Sequence, residues 1–193
     1  MLDKHPTLPS TDTLIARRVR EERAKRAWTL VQLAERAKVS RAMISKIERG
    51  ESSPTAVLLA RLADAMGVSL TALMSDRSTT RPALRRAHEQ PLWQDPSTGY
   101  VRRLVSPAGD DRDTEVVAID LPPGARIHFD AADNLLADEQ VLLLEGQLLL
   151  EVGDERFDLA PGDCARIAAY QARAFCNTGA SPARYLVVMR HGV

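Results

Sequence analysis

Cysteine, aromatic side chains and long apolar runs are all scarce in this sequence, and each scarcity excludes something. Two cysteines, Cys164 and Cys176, cannot build the disulfide framework of a small secreted domain. Their expected role is that of small core hydrophobes, with a redox-sensing pair as the alternative. No apolar run approaches the roughly 18 residues that a membrane span needs. Met1–Ser10 has no apolar core of signal-peptide length. A soluble cytoplasmic protein without a membrane partner is expected. Histidine is equally sparse. His128 is the only one between residues 89 and 190, so a multi-histidine metal centre has nothing to be built from there.

Net charge is absent as well, with 26 basic and 26 acidic residues, but the balance hides a division. Residues 14–75 hold 12 Lys/Arg against 6 Asp/Glu, whereas residues 99–193 hold 9 against 15. One part of the chain is suited to meet anions and the other is not.

The two parts also differ in texture. From Leu14 to Met74 the apolar period is helical, most clearly at Leu59, Leu62, Ala63 and Met66. Pro54 marks a helix start, and Gly50 and Gly67 stand where helices end. Five helices are predicted, at about 14–26, 30–37, 41–48, 55–66 and 70–74. Residues 1–13 read as a flexible tail, and residues 76–98 as a linker with a short strand near its end. From Tyr100 short apolar runs alternate with turn signals such as Leu121-Pro-Pro-Gly124 and Ala160-Pro-Gly-Asp163. That rhythm indicates an all-β sandwich or barrel over residues 99–193.

The segment Thr29–Gly50 carries the most specific pattern. Thr29 and Ser40 can each cap a helix. Leu33 and Ala34 face inward on the first helix, Val39 fills the turn, and Ile44 and Ile47 anchor the second helix. Arg41, Ala42, Ser45, Lys46 and Arg49 then share its outer face, a polar and basic surface suited to the major groove.

The stretch L-x-x-L-A-x-x-A-x-V-S-x-x-x-I-S-x-I-E-R-G, followed by S-P and L-x-x-L-A-x-x-M-G-V, resembles the phage-repressor/Cro type of helix-turn-helix, the XRE family, over about 60 residues. The resemblance implies base contacts from Arg41, Ala42, Ser45 and Lys46, and backbone contacts from Ser40 and Arg49. It also implies a structural ion pair between Arg23 and Glu48. Lys38 departs from the usual glycine at the turn, where a left-handed backbone costs on the order of 1 kcal/mol.

The later turns, with Glu139, Gly146, Asn177 and the run Arg184–Met189, resemble a cupin over about 95 residues. The implied architecture has two domains: an all-α five-helix helix-turn-helix domain, then an all-β cupin barrel (a double-stranded β-helix or jelly roll). Metal-binding cupins place two His and a Glu in one motif and a His in the other. Here those positions are Ala132, Asn134, Glu139 and Arg173, so no metal and no cofactor are expected. Arg173 and Glu139 should both point inward, as a structural ion pair or as an anion-binding ligand site shared with Asn134.

The expected function is a transcription regulator, not an enzyme. It would bind a double-stranded DNA operator as a homodimer and respond to a small, anionic effector. A thiol-redox regulator, or a cupin enzyme with a DNA-binding appendage, is the alternative.

Overall fold

The computed structural model describes residues 10–75, 83–107, 114–131, 137–168 and 171–191. Five helices come first: α1 (Thr11–Lys25), α2 (Leu30–Ala37), α3 (Arg41–Glu48), α4 (Ala56–Met66) and α5 (Leu70–Met74). Each begins at a hydroxyl residue whose side chain accepts a backbone N–H of the first turn: Ser10, Thr29, Ser40, Thr55 and Ser69. At Thr29 the cap is reciprocal, because Gln32 Oε1 also accepts the Thr29 N–H at 2.8 Å. The first helix begins at Thr11, three residues before the apolar period does, because Ser10 caps it.

Helix α2 ends at Lys38 in the left-handed region, with φ 53 and ψ 40, and α4 ends at Gly67 with φ 62. Ala27 also has φ 53, a conformation that its sequence does not announce. The helices pack around Ile15, Val19, Leu33, Ile44, Ile47, Leu59, Leu62 and Leu73, all essentially inaccessible to solvent.

Among the described residues ten strands follow: β1 (Leu92–Gln94), β2 (Val101–Leu104), β3 (Thr114–Leu121), β4 (Arg126–Phe129), β5 (Ala137–Glu145), β6 (Leu148–Val152), β7 (Glu155–Leu159), β8 (Cys164–Ile167), β9 (Arg173–Cys176) and β10 (Ala183–His191). They form two antiparallel sheets, ordered β1-β2-β3-β10-β5-β8 and β4-β9-β6-β7. The sheets meet face to face, with Phe175 of one stacked on Tyr185 of the other at 5.4 Å between ring centroids. The expectation of a barrel needs correction on one point. Among the described residues no ladder joins the two sheets, so the hydrogen-bonded wall does not close. The arrangement is the double-sheet jelly roll, in which two facing sheets bury one core without sharing strands.

Two turns hold the register. Gly146, at φ 85, links β5 to β6 so close to the start of β10 that a Cβ would lie 2.7 Å from the Pro182 carbonyl. Buried Asn177 donates to the carbonyls of Leu121 and Ser181, each at 2.8 Å, and accepts the Gly179 N–H, which fixes the turn from β9 to β10. Strand β1 lies within the stretch read as a linker, yet it pairs with β2 and brings Trp93 into the core.

The helical and β parts pack directly on each other. Thr11 Oγ1 donates to the Leu92 carbonyl at 2.7 Å, and the Ala56 N–H donates to Asp95 Oδ2 at 2.6 Å. Ser69 bonds Glu115, Arg102 bonds Thr71, and Arg61 bonds Asp130. Among the described residues, no helix is long and apolar enough to cross a membrane.

Candidate nucleic-acid interface and interdomain cavity

On α3, burial of Ile44 and Ile47 sets the opposite face outward. Arg41, Ala42, Lys46 and Arg49 are exposed, and Ser45 is half-buried between them. Ser40, also exposed, accepts the Met43 N–H and keeps its hydroxyl proton free to donate. Arg49 is already partnered. Its Nε and Nη2 donate to the two Glu51 carboxylate oxygens at 2.5 and 2.7 Å, and Nη1 donates to Ser45 Oγ. A phosphate at Arg49 would therefore exchange for Glu51.

The back of α3 is anchored to α1. Arg23 Nε and Nη2 donate to Glu48 Oε1 and Oε2 at 2.6 and 2.7 Å, and Nη1 donates to the Trp28 carbonyl at 2.8 Å. Glu48 is buried, so the two-point grip fixes the roll of α3 about its axis. Arg20, which sequence reasoning passed over, donates to the Glu48 carbonyl at 3.2 Å, near the negative end of the helix.

The second site is a cavity of about 100 Å³ between the sheets, with α4 and α5 forming part of its wall. Alternation along the strands decides what faces it. Arg173 and Phe175 point inward from β9, Glu139 from β5, and Tyr185, Val187 and Met189 from β10. Arg173 Nη2 donates to Glu139 Oε1 at 2.5 Å, and the guanidinium lies 5.3 Å from the centre of the Phe129 ring. Asn134 and Ala132 lie outside the described residues. A guanidinium hydrogen-bonded to Glu139 does not suit a divalent cation, since it would repel the metal and compete for its carboxylate. His128 is exposed, 3.5 Å from Asp130.

Sequence reasoning missed Arg102. It is only 7% exposed and lines the same cavity, donating from Nη2 to Thr71 Oγ1 at 3.2 Å. The signal was present: Tyr100, Arg102 and Leu104 alternate in phase, and the middle member of a buried triplet is charged. Burial pushes the phenol of Tyr100 up from its ordinary value and that of Tyr185 well up, so both stay neutral at pH 7.

The cysteines need correction. Cys164 is exposed and Cys176 half-buried, so neither is a core hydrophobe. Cys164 pairs across the ladder with Leu142 on the outer side of the larger sheet. Cys176 pairs with Arg126 and Leu149 on the outer side of the smaller sheet. Strand parity thus puts the two thiols on opposite outer faces, out of reach of each other. Burial also raises the Cys176 thiol, the wrong direction for a reactive thiolate.

Comparison with known proteins agrees with this two-part architecture. A family profile described as Helix-turn-helix (HTH_3) matches residues 19–73, and one described as Cupin domain (Cupin_2) matches residues 119–189. The HTH-type transcriptional regulator SutR of Escherichia coli (strain K12) is 29% identical over 161 residues, spanning 83% of this chain and 85% of that protein. The immunity repressor protein of Bacillus phage phi105 is 33% identical over 64 residues, 33% of this chain and 44% of that protein. The crystal structure of an HTH_3 family transcriptional regulator from Vibrio cholerae shares the fold, with a TM-score of 0.76 and 22% identity over 95% of this chain and 98% of that one. The chain therefore carries a helix-turn-helix (HTH_3) domain followed by a Cupin_2 domain, and it is similar over most of its length to an HTH-type transcriptional regulator.

Proposed function

We propose that this chain is a cytoplasmic, effector-responsive regulator that binds a DNA operator as a homodimer and catalyses no reaction. Residues 14–75 act as the reader and residues 99–193 as the effector-binding and dimerising unit, to which β1 adds a strand. Helix α3 enters the major groove, where Arg41, Ala42, Ser45 and Lys46 meet base edges and Ser40 and Arg49 meet the backbone. Arg173 and Glu139 belong to the effector site, for which Asn134, outside the described residues, is the third candidate.

The observation that carries the reading is the cavity itself. It holds charged side chains in an otherwise apolar enclosure, and part of its wall is the reader's own helix. An occupant would contact both parts of the protein, which is the physical requirement for an effector to alter DNA affinity.

A dimer contact is available on the outer face of the larger sheet. Leu142 and Leu186 are register partners there, half-buried, and Leu144 is 47% exposed. Two-fold symmetry through that face would present two copies of α3 to half-sites about one helical turn apart.

A thermal-shift screen of small organic acids, neutral metabolites and phosphate esters on the full chain tests the effector reading. Each stabilising compound is then added to a DNA titration. At least one compound is expected to raise the Tm and change operator affinity. Stabilisation without any effect on DNA binding would contradict the reading.

A further inference from the structure

One buried guanidinium in the cavity has no carboxylate partner among the described residues. Arg102 is more than nine-tenths buried, and a guanidinium cannot lose its proton. It donates to Thr71 Oγ1 and, at 3.9 Å, to Met189 Sδ, and its guanidinium also interacts with the Tyr100 hydroxyl. Among the described residues no carboxylate forms an ion pair with it. Arg173 brings a second guanidinium, and although Glu139 accepts from Nη2, the buried Nε has no acceptor. Glu139, 4% exposed, is the one carboxylate among these buried groups, and the two buried phenols are neutral. Among the described residues Glu139 is already bonded to Arg173, so the buried Arg102 is left without a carboxylate of its own. The wall also carries Arg61 and Asp64, half-buried like Arg173, and the exposed Asp130.

An unpaired buried cation is costly to keep, and it costs least where an anion normally sits beside it. Arg173 Nε is a buried donor without an acceptor, and a guanidinium is suited to the oxygens of a carboxylate. The surrounding wall is apolar, with Val57, Leu70, Phe129 and Val187. A volume of about 100 Å³ is of the order of the engineered apolar cavity of about 150 Å³ that takes up benzene, a size that suits a short chain. The apolar wall argues in the same direction, because a phosphate would bring further charged oxygens against Val57, Leu70 and Val187.

We propose that the cavity binds a small monocarboxylate with a short apolar body, its carboxylate held between Arg102 and Arg173. This deepens the effector reading above and rests on it. It adds a second anchor and the means of transmission. Arg102 bonds Thr71 in α5, so a carboxylate that draws the guanidinium inward weakens a contact between the β domain and the reader. Occupancy then biases how the reader docks.

The test titrates the full chain calorimetrically with sodium propanoate, butanoate, 3-methylbutanoate, pentanoate and hexanoate, and separately with inorganic phosphate. Thermal midpoints are recorded alongside. At least one carboxylate should bind wild type and raise its Tm, and phosphate should not. Arg102→Met should weaken that carboxylate at least tenfold, yet raise the Tm of the unliganded chain by removing an unpaired buried charge. A merely structural arginine would give a lower Tm and unchanged carboxylate affinity, which overturns the proposal. Should Arg102→Met unfold the chain, Arg102→Lys keeps the charge without the planar fork. Weaker binding by Arg102→Lys is then expected, and unchanged affinity overturns the proposal. Binding lost only in Arg173→Met would leave the effector reading standing and remove Arg102 from the site. Failure of the whole carboxylate series, or tighter binding of phosphate, overturns the ligand class. The effector reading is then judged by the broader screen.

Discussion

Asp95, in the turn after β1, accepts the backbone N–H of Ala56 at 2.6 Å and so caps the first turn of a helix that belongs to the other domain. Its second oxygen accepts Ser97 and Thr98, which holds the carboxylate in place. The positive end of α4 thereby sits on a fixed negative charge from the β domain. Asp95→Ala should destabilise the chain by about 1–3 kcal/mol, because a buried N–H loses its acceptor. It should also speed hydrogen exchange across Ala56–Met66. Thermal unfolding and amide exchange check this, and unchanged values in both would contradict the role.

Acid should weaken the protein through two carboxylates. Burial alone would raise Glu22, but hydrogen bonds from Lys25 at 2.6 Å and Arg26 at 2.8 Å outweigh it and hold the group at about 2, below an ordinary 4.5. Arg26 also reaches the Met66 carbonyl, so this cluster joins α1 to the end of α4. Burial likewise opposes ionisation of Asp95, and the bonds from Ser97, Ala56 and Thr98 bring its value below the usual one. Both folded values are depressed, so the stability they confer is present above the unfolded values and is lost as pH falls through the folded ones. The Tm should decline from about pH 4.5 toward about pH 2. Glu22→Gln should flatten that decline. An equally steep decline in the variant would contradict the assignment.

Glu48→Ala should destabilise the reader without altering which sequence it prefers. It strands Arg23, whose guanidinium otherwise has two short bonds to Glu48. Breaking a buried pair typically costs about 3–5 kcal/mol, and the partial exposure of Arg23 puts the expected loss near the lower figure. Thermal unfolding of the full chain measures it. An unchanged midpoint with a changed DNA preference would reverse the interpretation.

Helix boundaries were legible because hydroxyl caps and glycine stops act within a few residues of where they stand. Thr29, Ser40 and Gly67 show this directly. The left-handed Lys38 was visible as a departure from a family pattern, whereas Ala27 had no such cue. Arg173 and Glu139 were expected inside through the cupin resemblance, and both line the cavity. The cysteines were misread because their burial depends on which parity faces the core, and one position in either direction inverts it. The domain contact was not legible at all. Asp95 reads as an ordinary turn residue before Pro96 and Ser97, and nothing local reveals an acceptor for an N–H 39 positions away.

Oxidation should not join the two cysteines within one chain. Their positions on opposite outer faces predict no intramolecular disulfide after treatment with a mild oxidant. Mass spectrometry of the oxidised, alkylated protein should find Cys164 modified more readily than Cys176, in line with their exposure. A Cys164–Cys176 crosslink would contradict the strand parity described here.

The account depends most on α3 as the element that reads DNA. Selection of binding sites from a random duplex pool, with the full wild-type chain, Arg41→Ala and Arg49→Ala in parallel, tests it directly. Wild type should enrich a two-fold symmetric site. Arg41→Ala should lose roughly 1–3 kcal/mol and relax preference at one position in each half-site. Arg49→Ala should weaken binding to all sequences alike and lower the salt dependence. An unchanged preferred site in Arg41→Ala, or no enriched site for wild type, would contradict the claim.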